Sequence, residues 1–139
     1  MKITTLTDNL VYKNSLRAEH GLSLFIEIED NIILFDTGQS DLFYNNSKIL
    51  GKDISKVNHL IISHGHYDHT GGIDTFLKKN HIAKIYLMQK AINPKYNGKR
   101  YIGINKSVIN ELSNCSRVIE PDSNLHKIDN NIYLINSIP

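Results

Sequence analysis

Cysteine is almost absent. The single Cys115 excludes an internal disulfide framework, so the fold must stand on its own core, and a reducing compartment suits it. Long apolar runs are missing too. Nothing approaches the roughly 18 residues of a membrane span, and the opening MKITTLTDNL has no apolar leader core. Together these absences make a cytoplasmic protein the expectation. Charge of one sign is also lacking: 16 Lys and Arg against 14 Asp and Glu leave a formal +2. No basic run occurs, which counts against a nucleic-acid surface. Proline is scarce at three residues, and there is no repeat or low-complexity tract. What remains is an ordinary globular composition, 40% hydrophobic and 22% charged, in 139 residues. That length suffices for one domain with a real core. The abundant residue is histidine, seven against one cysteine, and imidazole is the commonest side-chain ligand for metals.

Strands lead and helices are interspersed. Residues 3–6 read as a first strand. Residues 22–29 (LSLFIEIE) and 32–36 (IILFD) read as two more, joined by a tight turn at Asp30-Asn31. Ser40 is placed to cap a helix over 41–50, which Gly51 would end. Residues 57–63 (VNHLIIS) form a buried-looking strand. Residues 73–80 carry Ile73, Phe76 and Leu77 on one helical face. A strand over 83–88, a loop over 93–100, a helix over 107–112 and strands over 117–119 and 132–135 follow. The hairpin argues for a mixed sheet, hence an α+β fold.

The informative segment is Ser63-His64-Gly65-His66-Tyr67-Asp68-His69-Thr70-Gly71-Gly72. Four side chains that ligate metals, His64, His66, Asp68 and His69, fall within six residues between a strand and a helix. Residues two apart in a loop can face the same way, so His64 and His66 can share one ion while Asp68 and His69 turn to a second. Imidazole with carboxylate suits zinc first, with iron or manganese as alternatives. Two such ions about 3.5–4 Å apart would activate a water and polarise the bond it attacks. Neighbouring glycines allow close backbone approach.

The His64-x-His66-x-Asp68-His69 pattern resembles the signature of the metallo-β-lactamase superfamily. Phe35-Asp36-Thr37-Gly38 is similar to its strand-end Asp-Thr-Gly. Glu19-His20-Gly21-Leu22-Ser23 and the segment 95–104 resemble the subgroup of the dihydropterin phosphate precursor synthase of methanopterin biosynthesis. The resemblance implies the N-terminal half of an αββα sandwich, a mixed sheet with outer helices. It implies a hydrolase with His64 and His66 on one divalent ion and Asp68 and His69 on another. Asp68 would also serve as the catalytic base, and Asp36 would brace the ligand loop.

The same resemblance implies a shortfall. Family members draw a third His, a bridging Asp and a further His from later loops, and no such context follows here. His81 sits in an exposed setting after Lys-Lys-Asn, and His126 reads as a strand-edge residue. The expectation is therefore a single truncated domain spanning 1–139, weakly active or inactive as it stands. One apolar sheet face would be left bare, and a homodimer through it is expected to be available. The substrate would be a small molecule, of anionic character if Lys95, Lys99 and Arg100 meet it, although a solvated loop is the plainer reading of those three. His20 reads as a turn residue or as part of the pocket mouth. His59 reads as packed within its strand, and Cys115 as structural. The rival functions are a non-catalytic metal-binding or dimerising module and a nucleic-acid-processing metallohydrolase.

Overall fold

The computed structural model describes residues 1–136. A six-stranded mixed sheet forms its frame, in the order β1 (Lys2–Thr7), β2 (Ser23–Ile28), β3 (Asn31–Phe35), β4 (His59–Ile61), β5 (Lys84–Tyr86), β8 (Val118–Ile119). The first three strands are antiparallel, and β3, β4, β5 and β8 run parallel. Helices α1 (Leu42–Ile49), α2 (Tyr67–Thr70), α3 (Ile73–Lys79) and α4 (Lys106–Ser113) fill the connections. Two small hairpins complete the structure, β6 (Tyr96–Asn97) with β7 (Arg100–Tyr101), and β9 (Leu125–Asp129) with β10 (Ile132–Ile135). This is the α+β arrangement expected. Among the described residues no helix is long and apolar enough to cross a membrane.

Period-2 alternation gives the sheet two apolar faces, because successive side chains of a strand point opposite ways. One face carries Phe25, Leu34, Leu60 and Ile85, packed under Phe43 of α1, Ile73 and Phe76 of α3, and Val108 and Leu112 of α4. Phe43, Ile73 and Phe76 are fully buried there. On the other face the register lines up Leu24, Phe35, Ile61, Tyr86 and Ile119 in one row and Ile26, Ile33 and His59 in another.

That second face is not bare, contrary to the expectation. The β9–β10 hairpin lies over it through Ile128, Ile132 and Leu134. Cross-links between hairpin tips hold it: Asn31 Nδ2 donates to Asp129 Oδ2 at 2.6 Å, and Asn131 Nδ2 to Glu29 Oε1 at 3.2 Å. The cover is partial. A cavity of about 410 Å³ remains between Phe35, Ile61, Tyr86 and Leu134. The hairpin's own outer side leaves Leu125, Tyr133 and Ile135 exposed.

Two local expectations shift. Ile28 pairs with Asn31, so the hairpin loop is Glu29-Asp30 rather than Asp30-Asn31. Asn31 is drawn into the strand because its amide serves both Asp129 and the His59 ring, and the positive φ of 52° falls on Glu29. The loop over 93–100 holds the β6–β7 pair, turned about Gly98 at φ 60°. Gly51 does end α1, in the left-handed region at φ 66°, and the Ser40 hydroxyl accepts from Leu42 N. The strands over 57–63 and 83–88 are regular for only three residues each. Beyond them the backbone leaves the ladder to build the loops at one edge of the sheet.

Asn80, at the end of α3, ties several layers together. Its Nδ2 donates to Ile54 O and Val57 O, both at 2.9 Å, and its Oδ1 accepts from Ile82 N and Ala83 N. Arg117 donates to its carbonyl. Truncating a fully buried group with four backbone partners strands all of them, each at about 1–3 kcal/mol with partial relaxation. Asn80→Ala is expected to lower unfolding stability by about 3–4 kcal/mol in urea titrations monitored by circular dichroism.

His59 is 7% exposed, with Nε2 on Asn31 Oδ1 and a buried Nδ1 that finds no partner among the described residues. Burial pushes its pKa below the ordinary 6.5, with Lys84 adding to the effect and Asp129 opposing it. A lowered folded pKa means the unfolded chain binds the extra proton first. The stability His59 provides is therefore complete above about 6.5 and is lost as pH falls from there through the lowered folded value. Thermal melts over this window are expected to show an acid loss that His59→Gln reduces.

Candidate metal centre

The loops at the carboxyl ends of β3 and β4 build the site. After β3 the chain turns at Asp36, a non-glycine residue at φ 57° whose side chain has no solvent exposure. The Asp36 N–H continues the ladder to Ile61 O. Its carboxylate reaches across to the histidine loop: Oδ1 accepts from Ser63 N at 2.8 Å, and Oδ2 from Ser63 Oγ at 2.6 Å and His69 Nδ1 at 2.7 Å. Thr37 adds its N–H and hydroxyl to His69 O, and its Oγ1 accepts from Gly72 N. The Asp-Thr-Gly turn is thus the cradle of the histidine loop, the bracing role expected of Asp36.

Asp36 also orients the ring nitrogens. His69 gives its Nδ1–H to Asp36, which turns Nε2 toward Asp68. The Ser63 hydroxyl spends its one hydrogen on Asp36, so at 2.9 Å it can only accept from His64 Nδ1–H, which turns the His64 Nε2 into the cluster. Burial lowers the pKa of His64, the neighbouring His69 and His66 rings add to this, and Asp36 and Asp68 oppose it. A neutral imidazole with a free nitrogen is the ligating form.

The ring nitrogens of the loop converge. His64 Nε2 and His66 Nδ1 are 3.0 Å apart and share one hydrogen bond, the His66 Nδ1–H donating to His64 Nε2. Two nitrogens bound at 2.0–2.1 Å to one tetrahedral zinc would be separated by about 3.3 Å. The His64 and His69 rings lie 4.2 Å apart, and His69 Nε2 is 3.5 Å from Asp68 Oδ2. The four expected residues are therefore brought together in a His64/His66 pair and a wider Asp68/His69 pair. Among the described residues no group of three or more His, Cys, Asp or Glu side chains is arranged to hold an ion. The donor chemistry fits a divalent cation, and the number of donors per ion stops at two.

The glycines of the loop allow close backbone approach, as expected. A Cβ on Gly65 would sit 1.8 Å from Ala91 O, so Gly65 lets the loop lie flush on a neighbouring backbone turn. The remaining histidines stand apart from the paired nitrogens, with one exception. His126 bonds Asp122 Oδ1 and meets Tyr86 edge-on, on the sheet face. His81 is exposed and His59 is packed in the sheet. His20 is the exception, with Nε2 3.2 Å from Asp68 Oδ2. Sequence reasoning also missed the Ser63 relay, although its position directly before His64 was a usable signal. The Lys95 ammonium donates to the carbonyls of Lys90, Ala91 and Asn93 and borders an opening together with His64. Lys99 is exposed at the hairpin tip, and the Arg100 guanidinium lies 5.3 Å over the Tyr67 ring. Cys115 packs against the core as a structural residue.

Two openings flank the cluster. One of about 560 Å³ is bordered by His64, Lys90 and Asp122. The other, about 640 Å³, is bordered by Tyr67, Tyr96, Tyr101 and Lys106. Both fall in the range of small-molecule sites.

The sequence profile of the metallo-β-lactamase superfamily matches residues 16–131, and the chain belongs to that superfamily. It is 33% identical over 99% of its length to an uncharacterised protein of Methanocaldococcus jannaschii, of which it covers 53%. It is 36% identical over 57% of its length to that organism's 7,8-dihydropterin-6-methyl-4-(beta-D-ribofuranosyl)-aminobenzene-5'-phosphate synthase, covering 29% of it. The crystal structure of Tm1679, a metal-dependent hydrolase of the β-lactamase superfamily, superposes with a TM-score of 0.72 at 31% identity. That match takes in 96% of this chain and 46% of Tm1679. SMB-1, a metallo-β-lactamase solved with 2-mercaptoethanesulfonate, shares the fold at TM-score 0.54 and 16% identity. The chain thus spans about half the length of the full-coverage relatives, and its fold is the N-terminal half of the superfamily's sandwich.

Because Asp36 alone satisfies Ser63 N, Ser63 Oγ and His69 Nδ1, its removal strands three donors around a buried void. Asp36→Ala is expected to cost about 3 kcal/mol in chemical denaturation, whereas Ser63→Ala, which spares the His69 contact, should cost about 1 kcal/mol.

Proposed function

We propose that this chain provides the first half of a divalent-metal hydrolase site, with His64 and His66 on one ion and Asp68 and His69 on a second. The observation that carries the reading is the hydrogen bonding of His64 Nδ1 to Ser63 and of His69 Nδ1 to the buried Asp36, which turns both Nε2 atoms into the cluster. Zinc suits the mixed imidazole and carboxylate set, with iron and manganese next. Divalent ions there would supply Lewis acidity to an ester or phosphoester bond and activate the attacking water. The chain's own part is to hold the ions' positions, to orient both rings through Asp36 and Ser63, and to take a proton at Asp68 Oδ2. With two donors for each ion, binding is weak and turnover by this span alone is low. A small anionic substrate fits the flanking openings, where Lys90 and Lys106 stand. The phosphate in the name of one relative's product supports that choice.

The second reading, a dimerising module without catalysis, is favoured by one feature, the exposed Leu125, Tyr133 and Ile135 on the outer side of the β9–β10 hairpin. Elemental analysis and solution mass on one sample separate the two. In equilibrium dialysis against zinc, roughly one to two ions per chain above the buffer level are expected, with about one lost in His66→Ala while the fold is kept. Uptake that ignores His66→Ala, or no uptake by the folded chain, sinks the metal reading. A mass near twice 15.9 kDa without metal supports the dimerising module.

A further inference from the structure

We propose that His59, Asn31 and Asp129 form an acid-released clasp, which holds the β9–β10 hairpin on the sheet and thereby sets the width of the openings beside the histidine loop. The three side chains make a chain of hydrogen bonds with one direction. An ionised carboxylate only accepts, so the Asn31 amide presents its NH₂ to Asp129, Nδ2 to Oδ2 at 2.6 Å. The Asn31 carbonyl is thereby turned to His59, and Oδ1 accepts from the ring Nε2–H at 3.1 Å. A neutral imidazole has then given its one hydrogen. Its Nδ1 is left as a lone pair, buried and without a partner among the described residues.

A second proton has one place to go, and the N–H it makes at Nδ1 meets no acceptor while the hairpin is down. Burying a charge unpaired is costly, so the closed form resists it. The groups around the ring divide. On β5, Lys84 stands across from His59 and repels an imidazolium, and the Tyr86 ring lies 5.8 Å away. On β3 the register partner is the apolar Ile33. From β9, Asp129 attracts the charge, but burial outweighs it, with Lys84 adding to the effect. Asp129 itself keeps its charge as the pH falls, because Asn31 and the Asn130 N–H hold its carboxyl below the usual range, with Lys127 nearby helping. Acid therefore acts on the ring and leaves the far end of the clasp intact. His126, the imidazole within the hairpin, bonds Asp122 and meets the sheet only at the edge of Tyr86.

The hairpin gives way before the sheet does. His59 lies in β4, which is paired on both sides, whereas β9 and β10 pair only with each other. Ile128, Ile132 and Leu134 hold the hairpin down, together with the clasp and the bond from Asn131 to Glu29. A cavity of about 410 Å³ already lies beneath it. Lifting the hairpin gives Nδ1 a water partner at little further cost. Asn136, just past β10, borders that cavity with Ser63, and borders with His64 the neighbouring opening of about 560 Å³. A movement released at His59 thus widens the way to His64. The clasp lies apart from the ligand-type side chains and holds whether or not they bind an ion.

Hydrogen exchange by mass spectrometry on the whole chain tests this, at about pH 7.5 and about pH 5.0, either side of the ordinary imidazole range. Rates are corrected for the intrinsic pH dependence of amide exchange and followed in low urea. Amides of 125–135 are expected to exchange through a local opening that urea barely accelerates, unlike those of β3 and β4. Their protection should fall about tenfold at the lower pH, and His59→Gln, which keeps a donor for Asn31 but does not titrate, should remove that fall. Hairpin protection indifferent to pH, an equal fall in His59→Gln, or a urea dependence matching that of β4 overturns the proposal. Asn31→Ala serves as the second variant. It cuts the clasp directly, so hairpin protection should already be low at about pH 7.5, and wild-type protection there overturns the clasp as well.

Discussion

Everything at the working edge of this molecule depends on one buried carboxylate. Asp36 is fully enclosed and accepts three hydrogen bonds from the histidine loop. A buried charge is tolerable only when so fully engaged. Because its partners are the backbone and hydroxyl of Ser63 and the ring of His69, the same contacts that satisfy it determine where the loop lies and where its protons sit. Stability and chemical readiness of the site therefore cannot be varied independently. The backbone at Asp36 holds a left-handed conformation that side chains rarely adopt, and the neighbouring Thr37 contacts keep it there.

The sheet explains why these loops meet. Four strands run parallel, so the ends of β3 and β4 open at the same edge. Their regular pairing is short, and the chain beyond each is free to turn across its neighbour. The helix layer covers one face completely, and the β9–β10 hairpin covers the other in part. In the superfamily to which the chain belongs, relatives of about twice this span share the arrangement.

Much of this was legible in the residues. Ligand-type side chains at 64, 66, 68 and 69, between an apolar strand and an amphipathic helix, identify the loop because few other arrangements need that density. The bracing role of Asp36 followed from its strand-end motif. What could not be read were contacts between segments far apart in sequence. His20 meets Asp68 and Asn31 meets Asp129, and nothing local in either pair announces its partner. Asn80 looked like the ragged end of a helix, and its role emerges only once the turn before β4 is folded beneath it. The strand Leu125–Asp129 was legible only through His126, read as a strand-edge residue, because it alternates weakly and its inward residues include that histidine. The placing of Lys95 was hidden for a related reason. A solvated loop was the plainer reading, yet its ammonium closes a turn through three carbonyls.

The link between the two hairpin tips bears on the order of folding. Asn31 and Asp129 are separated by 98 residues and Glu29 and Asn131 by 102, the longest-range side-chain hydrogen bonds among the described residues, so these contacts close long loops. Loop closure of that span is entropically late, and the hairpin it secures has exposed apolar side chains and a cavity beneath it. The β9–β10 hairpin is thus the last element to dock and the first to lift. Its backbone amides should exchange with solvent through a local opening, while those of β3 and β4 wait for the whole sheet to unfold.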